Sequence, residues 1–160
     1  MSGLSNIYLN EMLKNEVHCS KTFIGVFSAD NIDVDKLKFL SRFILIVNLS
    51  PQEYRGTHFV TIVGSPREII YCDSYALTCN TSQVLHESLL KIGRNITHML
   101  KYPIQSINSE FCGFFCVFFV CFFDYERFPI IKQLKNFSKH NLNENDAICM
   151  SNIKQLIKKN

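Results

Sequence analysis

Gln105-Ser106-Ile107-Asn108-Ser109-Glu110-Phe111-Cys112-Gly113-Phe114-Phe115-Cys116 leads into a long apolar run, Phe114 to Phe123. Phe and Val favour strands locally. The run does not alternate, however, and it is longer than most buried strands, so it reads as a helix buried all round. Cys112 then stands at the N-terminus of that helix. Unpaired backbone N–H groups and the helix dipole favour negative charge there. A thiol in such a place is drawn toward its thiolate, which is the nucleophilic form. The same N–H groups could hold an oxyanion, with Gln105, seven residues earlier, as a side-chain donor. Taken alone, Cys112 is more easily explained as a small buried hydrophobe, one of seven cysteines. What sets it apart is a histidine and an acid upstream.

The chain has 160 residues, 47% of them hydrophobic, which suits a single domain over residues 1–160 with its own core. The formal charge of +3 permits weak DNA binding but does not argue for it. Seven cysteines, an odd number, and the lack of a signal-like start favour free thiols in a reducing compartment over secretion. The apolar run is too short for a bilayer, which needs ~20 residues, so no membrane partner is expected.

A first helix is expected within Ser2 to Lys14, with Leu4, Ile7, Tyr8 and Met12 as its apolar stripe. Thr22–Phe27 is a short apolar stretch, and Asp33 opens a capped short helix. Phe43-Ile44-Leu45-Ile46-Val47 reads as a strand buried on both faces, and Ser50 to Gly56 as a loop. His58–Val63 and Glu68–Asp73 are strands joined by the Gly64-Ser65-Pro66-Arg67 turn. Val84, Leu85, Leu89, Ile92, Ile96 and Met99 recur at helical spacing behind a Thr81 or Ser82 cap. Tyr102–Gln105 is extended, since Pro103 disfavours helix at Tyr102. Phe128-Pro129 stops the apolar helix, and Asn141–Lys159 is a last helix with Ile148, Ile153, Leu156 and Ile157 inward. The expected class is α+β: a small central mixed sheet packed on a buried helix that begins at the nucleophile.

A symmetric hairpin about Ser65 and Pro66 pairs Val63 with Glu68 and, at its open end, His58 with Asp73. Directly opposed residues share a face, with Cβ atoms ~4.5–5.5 Å apart, whereas a slip by one residue separates them. In chain order the candidate site is therefore His58, Asp73, Gln105 and Cys112. His58 takes the Cys112 proton and returns one to the leaving amine. Asp73 orients the imidazole. Gln105 and the Cys112 N–H hold the oxyanion. Cys116 and Cys121 lack a Cys-x-x-Cys pair, so they read as core and no metal is expected.

The order His, acid, Gln, Cys and the motif Gln105…Asn108-Ser109-x-x-Cys112-Gly113-x-Phe115-Cys116 resemble the adenovirus maturation proteases, the adenain family. Phe23-Ile24-Gly25, Ile46-Val47-Asn48 and Arg55-Gly56-x-His58-Phe59 carry the same resemblance, which spans about Phe23 to Phe123. Asp73-Ser74 with the Gln/Cys pair is similar, more distantly, to the ubiquitin-like-protein proteases. The family has glutamate at Asp73, two more residues before it, and Trp at Phe59. The resemblance implies a papain-like, adenain-like fold. It implies an endopeptidase, monomeric, that cuts viral capsid and core precursors during virion maturation. The source it implies is a DNA virus, a virophage or a Polinton-like element, and the location is the virion and the infected host cell. The same four residues would serve an isopeptidase acting on a ubiquitin-like modifier. A non-catalytic capsid-associated or DNA-binding module is the third alternative. The family's activating peptide is disulfide-linked, but no cysteine lies between Cys79 and Cys112. The expectation is an enzyme that needs no cofactor, with a non-covalent activating peptide or DNA left open.

Overall fold

The computed structural model describes residues 5–14, 22–50, 58–123, 132 and 134–157. The expected loop over residues 51–56 and the Phe128-Pro129 stop lie outside the described residues. The fold is α+β. Five strands form one mixed sheet in the order β1-β2-β3-β4-β5. They are β1 (Phe23–Ser28), β2 (Phe43–Asn48), β3 (Phe59–Gly64), β4 (Glu68–Cys72) and β5 (Asn95–His98). The central pairs β2/β3 and β3/β4 are antiparallel, and each edge strand joins in parallel.

Helices cover both faces because the central strands are apolar on both. Along β2, Ile44 and Ile46 enter a core with α1 (Asn6–Lys14), α4 (Cys112–Phe122) and α5 (Leu142–Ile157). Phe43, Leu45 and Val47 enter a second core with α2 (Val34–Phe39) and α3 (Gln83–Ile92). That division follows the two-residue period of a strand. Helix α4 packs on β3 and β2, against α5 and α1. Its described residues from Phe115 to Val120 are all buried, as a helix apolar all round requires. Among the described residues no helix is long and apolar enough to cross a membrane.

Three local expectations need correction. In α1 the buried residues are Leu9 and Leu13, with Met12 packed beside them, whereas Ile7 and Tyr8 are exposed. Two stripes of helical spacing compete on that short helix, and contact with β1 selects one. Helix α3 stops at Ile92, because Gly93 adopts the left-handed conformation at φ 78° and caps it. The β-branched Ile96 and Thr97 then continue as β5 beside β4. In α5 Ile153 is buried and Ile148 packs against the same core, as the apolar stripe predicts, and Asn145 and Cys149 are buried beside them; the side chains of Leu156 and Ile157 lie outside the described residues.

The third correction is the hairpin register. Gly64 pairs with Ile69 and Thr61 with Cys72, two residues away from the symmetric pairing. The turn keeps four residues between its innermost pairs but moves one residue along the chain, to Ser65–Glu68, which sets Pro66 at the second turn position that its fixed φ favours. The Ser65 N–H donates to the Glu68 carbonyl (2.9 Å), and Ser65 Oγ accepts from the Glu68 N–H (3.1 Å). A shift of two residues preserves strand parity. Extending this register beyond Thr61 and Cys72 sets His58 opposite Tyr75 and diagonal to Asp73, still on one face.

Candidate active site

His58 stands just before β3 and Asp73 just after β4, so both lie at the same end of the central hairpin. Both are buried. His58 Nε2 lies 2.8 Å from Asp73 Oδ1. The same Oδ1 accepts the Tyr75 N–H at 2.8 Å, which fixes the carboxylate. The segment turns at once after Asp73. The Ala76 N–H donates to the Asp73 carbonyl at 2.8 Å, and Ala76 sits at φ 55°. That tight turn lays the Tyr75 ring against the imidazole, with ring centroids 4.7 Å apart.

Cys112 is the first residue of α4 and half-buried. The residue before it, Phe111, provides no side-chain cap. The Phe111 N–H donates to Ser109 Oγ at 3.2 Å, and among the described residues no side chain accepts from the N–H groups of Cys112 and Gly113, which face no earlier turn of the helix. Burial alone would lower the His58 pKa. The hydrogen bond with Asp73, the contact with Cys112 and the charges of both outweigh burial and push it up to about 9. With Nε2 engaged on Asp73, Nδ1 is the nitrogen left for the sulfur. Nδ1 is buried and has no other partner. Cys112 is near enough to His58 that its thiol and its charge both help to raise the imidazole pKa.

Gln105 is buried and held on three sides. Its backbone N–H donates to the Ser74 carbonyl (3.1 Å), and Ser74 Oγ donates to its Oε1. Its Nε2 donates to the Ser109 carbonyl (2.7 Å) and lies 3.1 Å from Tyr75 Oη. The Asp73-Ser74-Tyr75 turn and the Ile104–Gln105 segment are thus stitched together beside the start of α4. On the other side, Asn145 of α5 donates to the Ile104 carbonyl at 3.0 Å.

All four residues singled out from the sequence come to one end of the sheet. Ser74, Tyr75 and Asn145 were not assigned there. Adjacency to Asp73 was the one available signal for the first two, and nothing in the sequence pointed to Asn145. An open cleft beside His58 is lined by Leu49, Tyr75, Leu77, Thr81 and Ser82. Six described cysteines are free thiols. Burial pushes the thiols of Cys72, Cys79, Cys116 and Cys149 up, which keeps them protonated and unreactive. No group of three or more metal-ligating side chains occurs among the described residues. No protein-family model and no curated protein matches the chain.

Proposed function

We propose that the chain is a cysteine endopeptidase of adenain-like, papain-related architecture, which cuts viral precursor polypeptides during particle maturation. One observation carries this: a buried His58–Asp73 pair at 2.8 Å beside a cysteine at an uncapped helix N-terminus. The raised His58 pKa supports it, because Asp73 and Cys112 both contribute to holding the imidazole in its charged form. The choice of viral precursors rests on the motif resemblance alone.

In the proposed reaction Cys112 Sγ attacks the scissile carbonyl carbon. A sulfur–carbon bond forms and the carbonyl π pair moves onto oxygen. Donors at the α4 N-terminus and around Gln105 stabilise that charge. On collapse the carbon–nitrogen bond breaks, and the leaving amine takes its proton from His58. Water then attacks the thioester with His58 as base, and the thiolate leaves. Asp73 keeps Nε2 protonated and the ring aimed at the sulfur throughout.

The test pairs a labelling measurement with a cleavage measurement. Iodoacetamide should modify Cys112 much faster than Cys72, Cys79, Cys116 or Cys149. Wild-type chain should cut candidate capsid and core precursors at defined positions, and Cys112→Ala should abolish those cuts without changing the melting temperature. Persistent cleavage by Cys112→Ala, or fast labelling of another cysteine, would refute the assignment.

A further inference from the structure

Two side-chain donors converge on one carbonyl oxygen immediately before the α4 N-terminus. Gln105 Nε2 lies 2.7 Å and Tyr75 Oη 3.1 Å from the Ser109 carbonyl oxygen. These are the separations that oxyanion donors need from the oxygen they serve. We propose that Tyr75 is a second side-chain donor to the acyl oxyanion, acting with Gln105, and that the Ser109 carbonyl fills their shared position in the resting chain. This inference rests on the endopeptidase reading above.

The geometry distinguishes a shared acceptor from a mutual bond. Tyr75 Oη and Gln105 Nε2 are 3.1 Å apart, so the three atoms form a nearly equilateral triangle. Seen from Nε2, its two neighbours are separated by roughly 60°, half the angle between the two N–H bonds of a planar amide. Both N–H bonds cannot point well at Ser109 and Tyr75 together. The shorter contact, to the Ser109 carbonyl, takes one N–H. The phenol hydrogen goes to the same carbonyl. The result is two donors on one carbonyl oxygen, which fills both of its lone pairs.

Three further features place Tyr75 in the chemistry. Its ring packs on His58 at 4.7 Å between centroids. Its backbone N–H holds the Asp73 carboxylate. Burial, then the charges of Cys112, Asp73 and Asp146, push its hydroxyl pKa up against the opposing influence of the nearby Gln105 amide, so the hydroxyl stays protonated and able to donate. An entering substrate carbonyl takes the place of the Ser109 oxygen, and the peptide after Ser109 turns away.

Tyr75→Phe tests this, because it keeps the ring on His58 and deletes the hydroxyl. The probes are the 4-nitrophenyl ester of N-acetylglycine and iodoacetamide. Ester hydrolysis passes through an oxyanion, whereas alkylation of Cys112 does not. Tyr75→Phe should lower kcat for the ester about 10²-fold, the loss expected for one donor, with KM little changed. Its iodoacetamide rate at Cys112 should stay within about twofold of wild type, since no donor term enters that displacement. Gln105→Ala should behave in the same way. A Tyr75→Phe kcat within twofold of wild type would overturn the proposal, and so would a rise, which would make the hydroxyl a latch. Slow alkylation of wild-type Cys112 would instead refute the endopeptidase reading, and this proposal with it. If Tyr75→Phe unfolds, Cys72, Cys116 and Cys149 will alkylate, and 4-methoxyphenylalanine at position 75, which keeps the ring and the oxygen but has no hydrogen to donate, then serves as the test variant.

Discussion

At the residue scale, His58 is governed by two partners that both favour its charged form. Its pKa stands at about 9 in the fold against an ordinary 6.5. The protonated ring therefore stabilises the folded chain. That contribution is complete below pH 6.5 and is lost as pH rises through about 9. The melting temperature of wild type should fall across this interval, and His58→Ala should remove that part of the slope. The kcat/KM profile should carry an alkaline limb near pH 9, where the general acid is spent. An identical pH dependence in His58→Ala would show that the ring is not held as described. The sequence was legible here to the extent that strand parity alone decides a face. His58 and Asp73 meet although the register is displaced by two residues, because an even displacement leaves parity intact. Tyr75 was not legible. Its contacts with Gln105 and Ser109 join segments about thirty residues apart in the chain, and no local pattern encodes that closure.

At the scale of elements, patterns succeeded where a single environment acts and failed where two compete. Strand β2 is apolar at every position from Phe43 to Val47 and is buried at every one. Helix α1 offered two stripes, and only packing against β1 chose between them. A tighter constraint lies at the end of β3. Gly64 pairs with Phe43, and a Cβ added at Gly64 would run into the Phe43 ring. Phe43 is fully buried in the core shared with α2 and α3, so its ring has little room to retreat. Arg94 closes that corner. Its guanidinium donates to the Ser65 and Leu40 carbonyls, at 2.9 and 2.7 Å, and lies over the Phe43 ring. Gly64→Ala should therefore cost about 1–3 kcal/mol in urea unfolding, as overpacking of a filled core does. Phe43→Leu in the Gly64→Ala background should recover part of that loss. If Gly64→Ala alone is neutral, the ring moves more freely than its burial indicates.

At the scale of the whole molecule, a net charge of +3 gives little general attraction to polyanions. No cysteine between Cys79 and Cys112 offers the covalent peptide link of the resembled family. Turnover by the isolated chain should therefore be substantial. It should change by less than about threefold on adding duplex DNA at ~0.15 M salt, where phosphate contacts are weakened. A many-fold rise in kcat/KM with a viral peptide, or with DNA, would show that activity depends on a second molecule. The α5 contact carries a consequence of another kind, one of timing. Asn145, fully buried, donates to the Ile104 and Ser138 carbonyls and accepts the Ser138 N–H. The backbone ahead of Gln105 is thus clasped by a residue that a ribosome adds forty positions later. During synthesis His58, Asp73, Gln105 and Cys112 are all in place before the clasp exists. The nascent chain passes through an interval in which it holds every reactive group yet lacks the tether on Gln105. In the proposed enzyme, Gln105 thus gains this support only after Asn145 has been added to the chain.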